Sequence, residues 1–372
     1  VSQPNYESRR NRVRRQFRGA GIDGLIVSGL ANVRYLTGFT GDSSWLFLSR
    51  GRTVLLSDSR YETQLANECP DLDVEIRDAG ATIQDLARTA VTSGDSRHPG
   101  FEADHLPWST AQQLIETVRS GSSVELLPVS GIVEGIREVK DRWELAEIRE
   151  AVRIAERGFG VMRSSLTSHQ TELEVREILE RAMKDFGGSG TAFEPIVGVG
   201  PTAALPHAHA GRLQVQESSV LLVDWGAARP SGYRSDLTRV LFTGRVTKQM
   251  ERVYNVVLAA QQAAIAAIQP GARLADVDQI ARGMIADAGF GRWFGHGLGH
   301  GFGLEIHESL RMSPISDQVF QPGMVITVEP GIYLPGKFGV RIEDDVVVTK
   351  DGFELLSSLP REFESSFVEF LA

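Results

Sequence analysis

Apolar residues recur at helical spacing in some stretches of the chain and form short runs in others, and the switches between the two patterns mark its elements. Near the start, Val13 and Phe17 stand four apart among Arg9, Arg10, Arg12, Arg14, Arg15 and Arg18, which predicts an amphipathic helix with a solvated basic face. Next, Gly24 to Val27, Trp45 to Leu48, Thr53 to Leu56 and Val74 to Ile76 read as strands. Ser59 to Asn67, Thr82 to Val91 and Ser109 to Val118 read as helices. This alternation predicts a mixed α/β domain over residues 1–135. Asp42, Asp58, Arg60 and His105 are scattered through it, each read as a cap, a turn residue or a surface charge. A helical stretch beginning near Glu138 and running through Trp143, Leu145, Ile148, Val152 and Ile154 opens a second domain, 136–372.

In that second domain Thr171 and Glu174 form a capping box that opens a helix reaching about Phe186. Gln249 to Ile268 and Leu274 to Ala288 are further helices, each ended by glycine or proline-glycine. Two strand pairs resemble each other. Val220 to Asp224 is an apolar strand ending in an acid and a glycine turn, with Asp236 at the head of the return strand to Phe242. Met324 to Glu329 repeats the scheme, and its return strand, Val340 to Val348, carries Glu343. The acids of each pair are 12 and 14 residues apart, enough for a hairpin to bring them side by side. Asp236 and Glu343 are flanked by Leu, Ile, Val and Phe, and acids are seldom buried there without a partner. Four gathered carboxylates take up protons unless cations neutralise them, and two divalent ions balance four negative charges.

Between the hairpins, Phe294 to Glu308 holds His296, His300 and His307, three of the eight histidines. His296 and His300 have the four-residue spacing of helical zinc sites, but glycines at 295, 297, 299, 301 and 303 argue against a helix. A glycine-dense loop instead lets backbone approach a ligand and aims each histidine separately. No Gly-x-x-x-x-Gly-Lys-Ser/Thr occurs, which argues against nucleotide binding.

Composition narrows the class. With 372 residues, 42% hydrophobic and 23% charged, the chain is globular and long enough for two domains. Its 48 acidic against 39 basic residues argue against nucleic acid or an anionic membrane as partner. No run approaches the ~20 apolar residues of a membrane span. Cys69 is the sole cysteine, which fits a reducing, cytoplasmic compartment. Gly19-Ala20-Gly21-Ile22-Asp23 follows the basic segment where a secretory signal needs an apolar core.

With these motifs the chain resembles, over essentially its whole length, the pita-bread metallopeptidases, the group of aminopeptidase P, prolidase, methionine aminopeptidase and the metal-free creatinase. The resemblance implies an α/β N-terminal domain of creatinase/prolidase type and an α+β pita-bread catalytic domain holding two divalent metal ions. By that likeness Asp224 holds one ion, His300 and Glu329 the other, and Asp236 and Glu343 bridge both. His207 and His307 match histidines that contact substrate or transition state, and His296 matches a further pocket position. Arg341, two residues before Glu343 and on the same strand face, is expected to orient a carboxylate. The segment between Asp224 and Asp236 is one residue longer than the family's usual pattern, and the extra residue is expected to widen the turn near Pro230. Oxygen-rich ligands with one imidazole favour Mn²⁺, with Co²⁺ or Zn²⁺ acceptable. The implied activity is hydrolysis of Xaa-Pro bonds in proline-containing peptides, with Glu329 relaying a proton. An Xaa-Pro aminopeptidase is the first expectation, because no clamp for a dipeptide's free carboxylate stands out. An Xaa-Pro dipeptidase (prolidase) is the alternative, and a non-catalytic binding module the remote one. A homodimer or homotetramer is implied as well.

Overall fold

A computed structural model of the chain describes residues 3–370 apart from Asp95 and Gly121. It divides into two units between Arg137 and Glu138; the expected division was at 135/136.

The first unit contains α1 (Tyr6–Ala20), β1 (Gly24–Val27), α2 (Leu30–Thr37), β2 (Trp45–Ser49), β3 (Thr53–Ser57), α3 (Glu62–Glu68), β4 (Asp73–Ile76), α4 (Ile83–Thr92), β5 (Pro99–Glu102), α5 (Trp108–Arg119), β6 (Leu127–Val129) and α6 (Ile132–Arg137). The six strands form one sheet in the order β4-β3-β2-β1-β5-β6. Only β2 runs antiparallel to its neighbours: a short turn joins it to β3, α2 leads to it from β1, and helices cross between the parallel strands. Ile26, Phe47, Val54 and Leu56 pack against Ala87, Val91, Leu114 and Val118 of the helices. The basic face of α1 departs from expectation. Val13 and Phe17 are buried, but so is Arg9, stacked 4.4 Å over the Tyr35 ring. Arg10, Arg12 and Arg14 donate to the carbonyls of Leu36, Ile136 and Ser49. These arginines satisfy backbone acceptors at the ends of neighbouring elements, a task that residue spacing does not disclose.

The second unit contains α7 (Arg142–Ser164), α8 (Glu172–Asp185), β7 (Gly190–Thr191), β8 (Ile196–Val199), β9 (Val220–Trp225), β10 (Ala227–Ala228), β11 (Leu237–Phe242), α9 (Lys248–Ala266), α10 (Leu274–Asp287), β12 (Gly299–His300), β13 (Arg311–Met312), β14 (Val325–Val328), β15 (Gly331–Leu334), β16 (Phe338–Arg341), β17 (Asp344–Val348) and β18 (Phe353–Leu355). Two similar halves result, with three-stranded sheets β11-β9-β8 and β14-β17-β18, each backed by a helix pair. This is the α+β pita-bread architecture. Strand β9 is buried on both faces: Leu221, Val223 and Trp225 pack toward α7 and α8, and Val220 and Leu222 toward α9.

Two expectations need correction here. The helix expected from Glu138 begins at Arg142, because Asp141 caps it, accepting from Trp143 N and Glu144 N at 2.9 Å. Just before the cap, Val139 bridges Met324 as extended chain. The second hairpin is also not a plain strand, turn and return strand. Its return arm breaks at Ile342–Glu343, so that β16 pairs with β15 and β17 with β14. At the break, Glu343 N donates to Thr238 O at 3.2 Å. The acid leaves its own ladder and pairs with β11, which carries it across to the first hairpin.

Candidate metal centre

Strand register brings the acids together. Thr238 pairs with Asp224 across β9 and β11, and Asp236 lies two residues before Thr238, so all three project from one face. The bridge from Thr238 to Glu343 adds the second hairpin. One ligand atom each of Asp236, His300 and Glu343 lies within 4.8 Å of the others. His300 Nε2 is 3.5 Å from both Asp236 Oδ2 and Glu329 Oε1. His300 comes from the two-residue strand β12, whose partner Arg311 is on β13. Glycine is required beside it, since a Cβ at Gly299 would overlap the Thr327 carbonyl oxygen. No helix forms between Phe294 and Glu308; a single turn, Gly291–Trp293, ends just before this segment.

Arg341 holds the fourth carboxylate, Asp224, in the set. Its Nη2 donates to Asp224, its Nε to Thr238 Oγ1 at 3.0 Å, and its Nη1 to Tyr333 Oη at 2.8 Å. The Thr238 hydroxyl in turn donates a hydrogen bond to Glu343 Oε2 at 2.6 Å, so one guanidinium and one hydroxyl set the orientation of two acids. Tyr333 Oη also lies 2.9 Å from His296 Nε2. Asp224, Tyr333, Arg341 and Glu343 line a cavity of about 860 Å³, with His207, His296, His307 and Arg311 on its wall. The rings of His300 and His307 meet edge to face at 4.3 Å.

Electrostatics show what this cluster lacks. Burial, then repulsion from Glu343, Asp224 and Asp345, pushes Asp236 well above the usual carboxylate range. Glu343 is raised likewise by burial and by Glu329 and Asp224. Burial raises Asp224 against the opposing pull of Arg341, and raises Glu329 to about 8. The imidazoles move the other way: burial lowers His300 to about 3 and His296 to about 4, and lowers His307 with help from the Arg311 charge. A set of crowded carboxylates with a neutral imidazole is a ligand set short of positive charge. Asp224 Oδ1, buried and without a hydrogen-bond donor, is a seat for a cation. The residues therefore fit two divalent ions, with Asp224, Asp236, His300, Glu329 and Glu343 as donors.

A second group, Glu102, His105 and Glu134 of the first unit, also converges within 4.8 Å. His105, expected among scattered surface and turn residues, is thus part of a half-buried cluster, because β5 and α6 converge on α2 in a way the spacing does not show. Asn32 Nδ2 already occupies its centre, bonded to Glu134 and to Glu102 Oε1 at 2.7 Å and lying 3.3 Å from His105 Nε2. Glu102 Oε2 accepts from Ser28 N and Gly29 N at the start of α2. An amide and two backbone donors fill the places that a cation needs, so this cluster ties elements together.

Sequence reasoning missed Thr238, Tyr333 and Arg311. The first two contact Arg341 or the ligands across long sequence separations, which leaves no local signal. Arg311 follows His300 by 11 residues, and an isolated arginine there reads as a surface charge. The turn holding the extra residue closes on itself, with Gly232 N donating to Arg229 O and Arg229 N to Tyr233 O, both at 2.8 Å.

Comparison with known proteins adds the following. The profile of Metallopeptidase family M24 matches residues 146–350, and that of the Creatinase/Prolidase N-terminal domain matches residues 9–139. An uncharacterized peptidase of Bacillus subtilis (strain 168) is 35% identical over 351 residues, 94% of this chain and 98% of the relative. The solved structure of an Xaa-Pro dipeptidase from Bacillus anthracis superposes with a TM-score of 0.91 at 34% identity, covering 96% of this chain and 99% of the other. An X-Pro aminopeptidase from Thermotoga maritima MSB8 gives 0.85 at 34% identity, over 94% and 99%.

Proposed function

Because the chain belongs to metallopeptidase family M24, we propose that it is a dinuclear metallopeptidase that cleaves Xaa-Pro bonds, acting as an Xaa-Pro dipeptidase. Two divalent ions, Mn²⁺ by the preference of oxygen-rich ligands, are held by Asp224, Asp236, His300, Glu329 and Glu343. When bound, they supply Lewis-acid polarisation of the scissile carbonyl and activation of the attacking water.

The remaining work falls to the chain. Glu329 takes the proton of the attacking water and hands it to the departing nitrogen. That transfer is essential for proline, whose imide nitrogen carries no hydrogen and leaves only once protonated. His307 and His207, on the cavity wall, stabilise the tetrahedral oxyanion as hydrogen-bond donors. His307 does so as a neutral imidazole, since burial and Arg311 hold its pKa down. Arg341 keeps Asp224 aimed, and Tyr333 joins that guanidinium to His296.

Arg311 is the observation that favours a dipeptidase. The first expectation, an aminopeptidase, leaned on the lack of a clamp for a free carboxylate, and this guanidinium stands on the cavity wall within electrostatic reach of His307. Its Nη1 is tied to the carbonyls of Glu308 and Leu310, which leaves a fixed, charge-bearing fork for a carboxylate. The aminopeptidase remains the second reading, favoured by the volume of the cavity, about 860 Å³, with Ile315 exposed on its wall and room for chain beyond the proline. The test compares Xaa-Pro with Xaa-Pro-Xaa substrates under matched metal. The dipeptidase is expected to prefer Xaa-Pro by about tenfold or more, and Arg311→Gln to raise KM for it by about tenfold while sparing the C-terminal amide. Equal or better cleavage of the longer peptide by the wild type would establish the aminopeptidase instead.

A further inference from the structure

Behind the loop that presents His307 lies an ion pair shielded from solvent. Lys140 Nζ meets Glu308 Oε2 at 2.6 Å, with side chains 1% and 5% exposed. The other carboxylate oxygen of Glu308 accepts from Leu304 N at 3.1 Å, and Glu308 N donates to Gly301 O at 2.8 Å. Lys140 is itself fixed: its N donates to Gly323 O at 2.9 Å, and its neighbour Val139 bridges Met324, the residue before β14. The loop is wrapped tightly around the pair. A Cβ on Gly303 would lie 2.9 Å from Glu308 Oε1 and 3.1 Å from Lys140 Cε. One residue before Glu308, His307 lines the cavity, its ring against that of His300.

We propose that the Lys140–Glu308 pair is a positioning device for His307, holding the segment 301–310 so that the imidazole stands where the oxyanion forms. The inference rests on the role of His307 given above. Two buried apolar side chains serve stability as well as a buried ion pair or better. The pair has what they lack, directional bonds from one carboxylate to Lys140, to Leu304 N and, through its own backbone, to Gly301. A displacement of about 1 Å at a reacting group costs roughly 100-fold in rate, so a rigid anchor one residue from the imidazole acts on turnover. Lys140 and Glu308 touch neither substrate nor metal and act only through the loop.

The experiment uses the full-length, metal-loaded protein. Glu308→Asp and Lys140→Arg keep both charges but move the contact. Each is expected to lower kcat on an Xaa-Pro dipeptide about tenfold or more with KM within about twofold, because the interaction weakened is one made in the transition state. Affinity for a phosphinic analogue of the tetrahedral state should fall by the same factor, with proline binding unchanged. In a His307→Ala background, adding Glu308→Asp should alter kcat by less than about twofold. An equal loss in both backgrounds would show general destabilisation and overturn the proposal. Should Glu308→Asp fail to fold, Lys140→Arg carries the same comparison. If the wild type cleaves no Xaa-Pro substrate, the functional reading has failed, and amide hydrogen exchange judges the anchor separately. Exchange at Gly303 and Glu308 at least about tenfold faster in the variants, with α9 unchanged, supports it; unchanged exchange overturns it.

Discussion

Thr238 carries a small side chain with two obligations, accepting from Arg341 Nε and donating to Glu343 Oε2. Thr238→Val keeps the shape and removes both. Leaving those charged partners short of a bond is expected to cost about 1–3 kcal/mol of stability and about 10- to 100-fold in metal affinity. Denaturant unfolding and a calorimetric metal titration check the two figures, and wild-type metal affinity would contradict the assignment. Asp236→Asn and Glu343→Gln are expected to abolish turnover and to lower retained metal, read by elemental analysis after desalting, because each removes a donor from the most crowded part of the cluster. Near-normal turnover in either variant would contradict its place there. The four acid candidates were legible in the sequence because each stood at the end or edge of an apolar strand, whereas the glycine-rich loop offered three histidines and only the family resemblance singled out His300. Thr238 and Tyr333 were not legible, since their partners are fixed only once two distant hairpins meet. Arg311 has no feature that separates it from a surface arginine until the cavity is seen.

The glycine-rich loop has few side chains of its own to hold it, and α10 does that work. Asp278 Oδ1 accepts from Leu298 N at 3.0 Å and pairs with Arg282, whose Nη1 and Nη2 donate to the carbonyls of Phe294 and His296. Asp278→Ala leaves a guanidinium and a buried amide short of partners, and is expected to lower unfolding free energy by about 3 kcal/mol. Urea unfolding checks the value, and a change below about 0.5 kcal/mol, typical of a neutral surface substitution, would contradict the role. Among the elements, strands and helices with strong periodicity were readable to within a residue or two at most ends. Leu30–Thr37 and Pro99–Glu102 were missed, the first because it is short and the second because proline and glycine open it. The broken return arm at Glu343 was unreadable for a different reason: its cause is a pairing with β11, roughly 100 residues away in sequence.

For the molecule as a whole, metal and protons compete for one site. Glu329 is raised to about 8 in the metal-free protein, above its unfolded value, so its protonation supports folding below about 4.3 and that support is lost as pH rises through about 8. His300 is depressed to about 3, so folding loses its contribution as pH falls below about 6.5. Both groups must be unprotonated to bind metal; His300 is already neutral above about pH 3, so from pH 5 upward it is proton release by Glu329 that strengthens binding. The rise in Tm on adding metal is therefore expected to grow from pH 5 to about 8 and then level off. A rise that is constant, or larger in acid, would contradict the ligand set. Among the described residues no helix is long and apolar enough to cross a membrane. Four of the 48 acidic residues, Asp224, Asp236, Glu329 and Glu343, line this site. The most direct test of the account strips the protein with a chelator, adds Mn²⁺ back in steps and follows hydrolysis of an Xaa-Pro dipeptide. The account predicts no turnover in the stripped protein and a return that saturates at about two ions per chain. Undiminished cleavage with less than about a tenth of an ion per chain would contradict it.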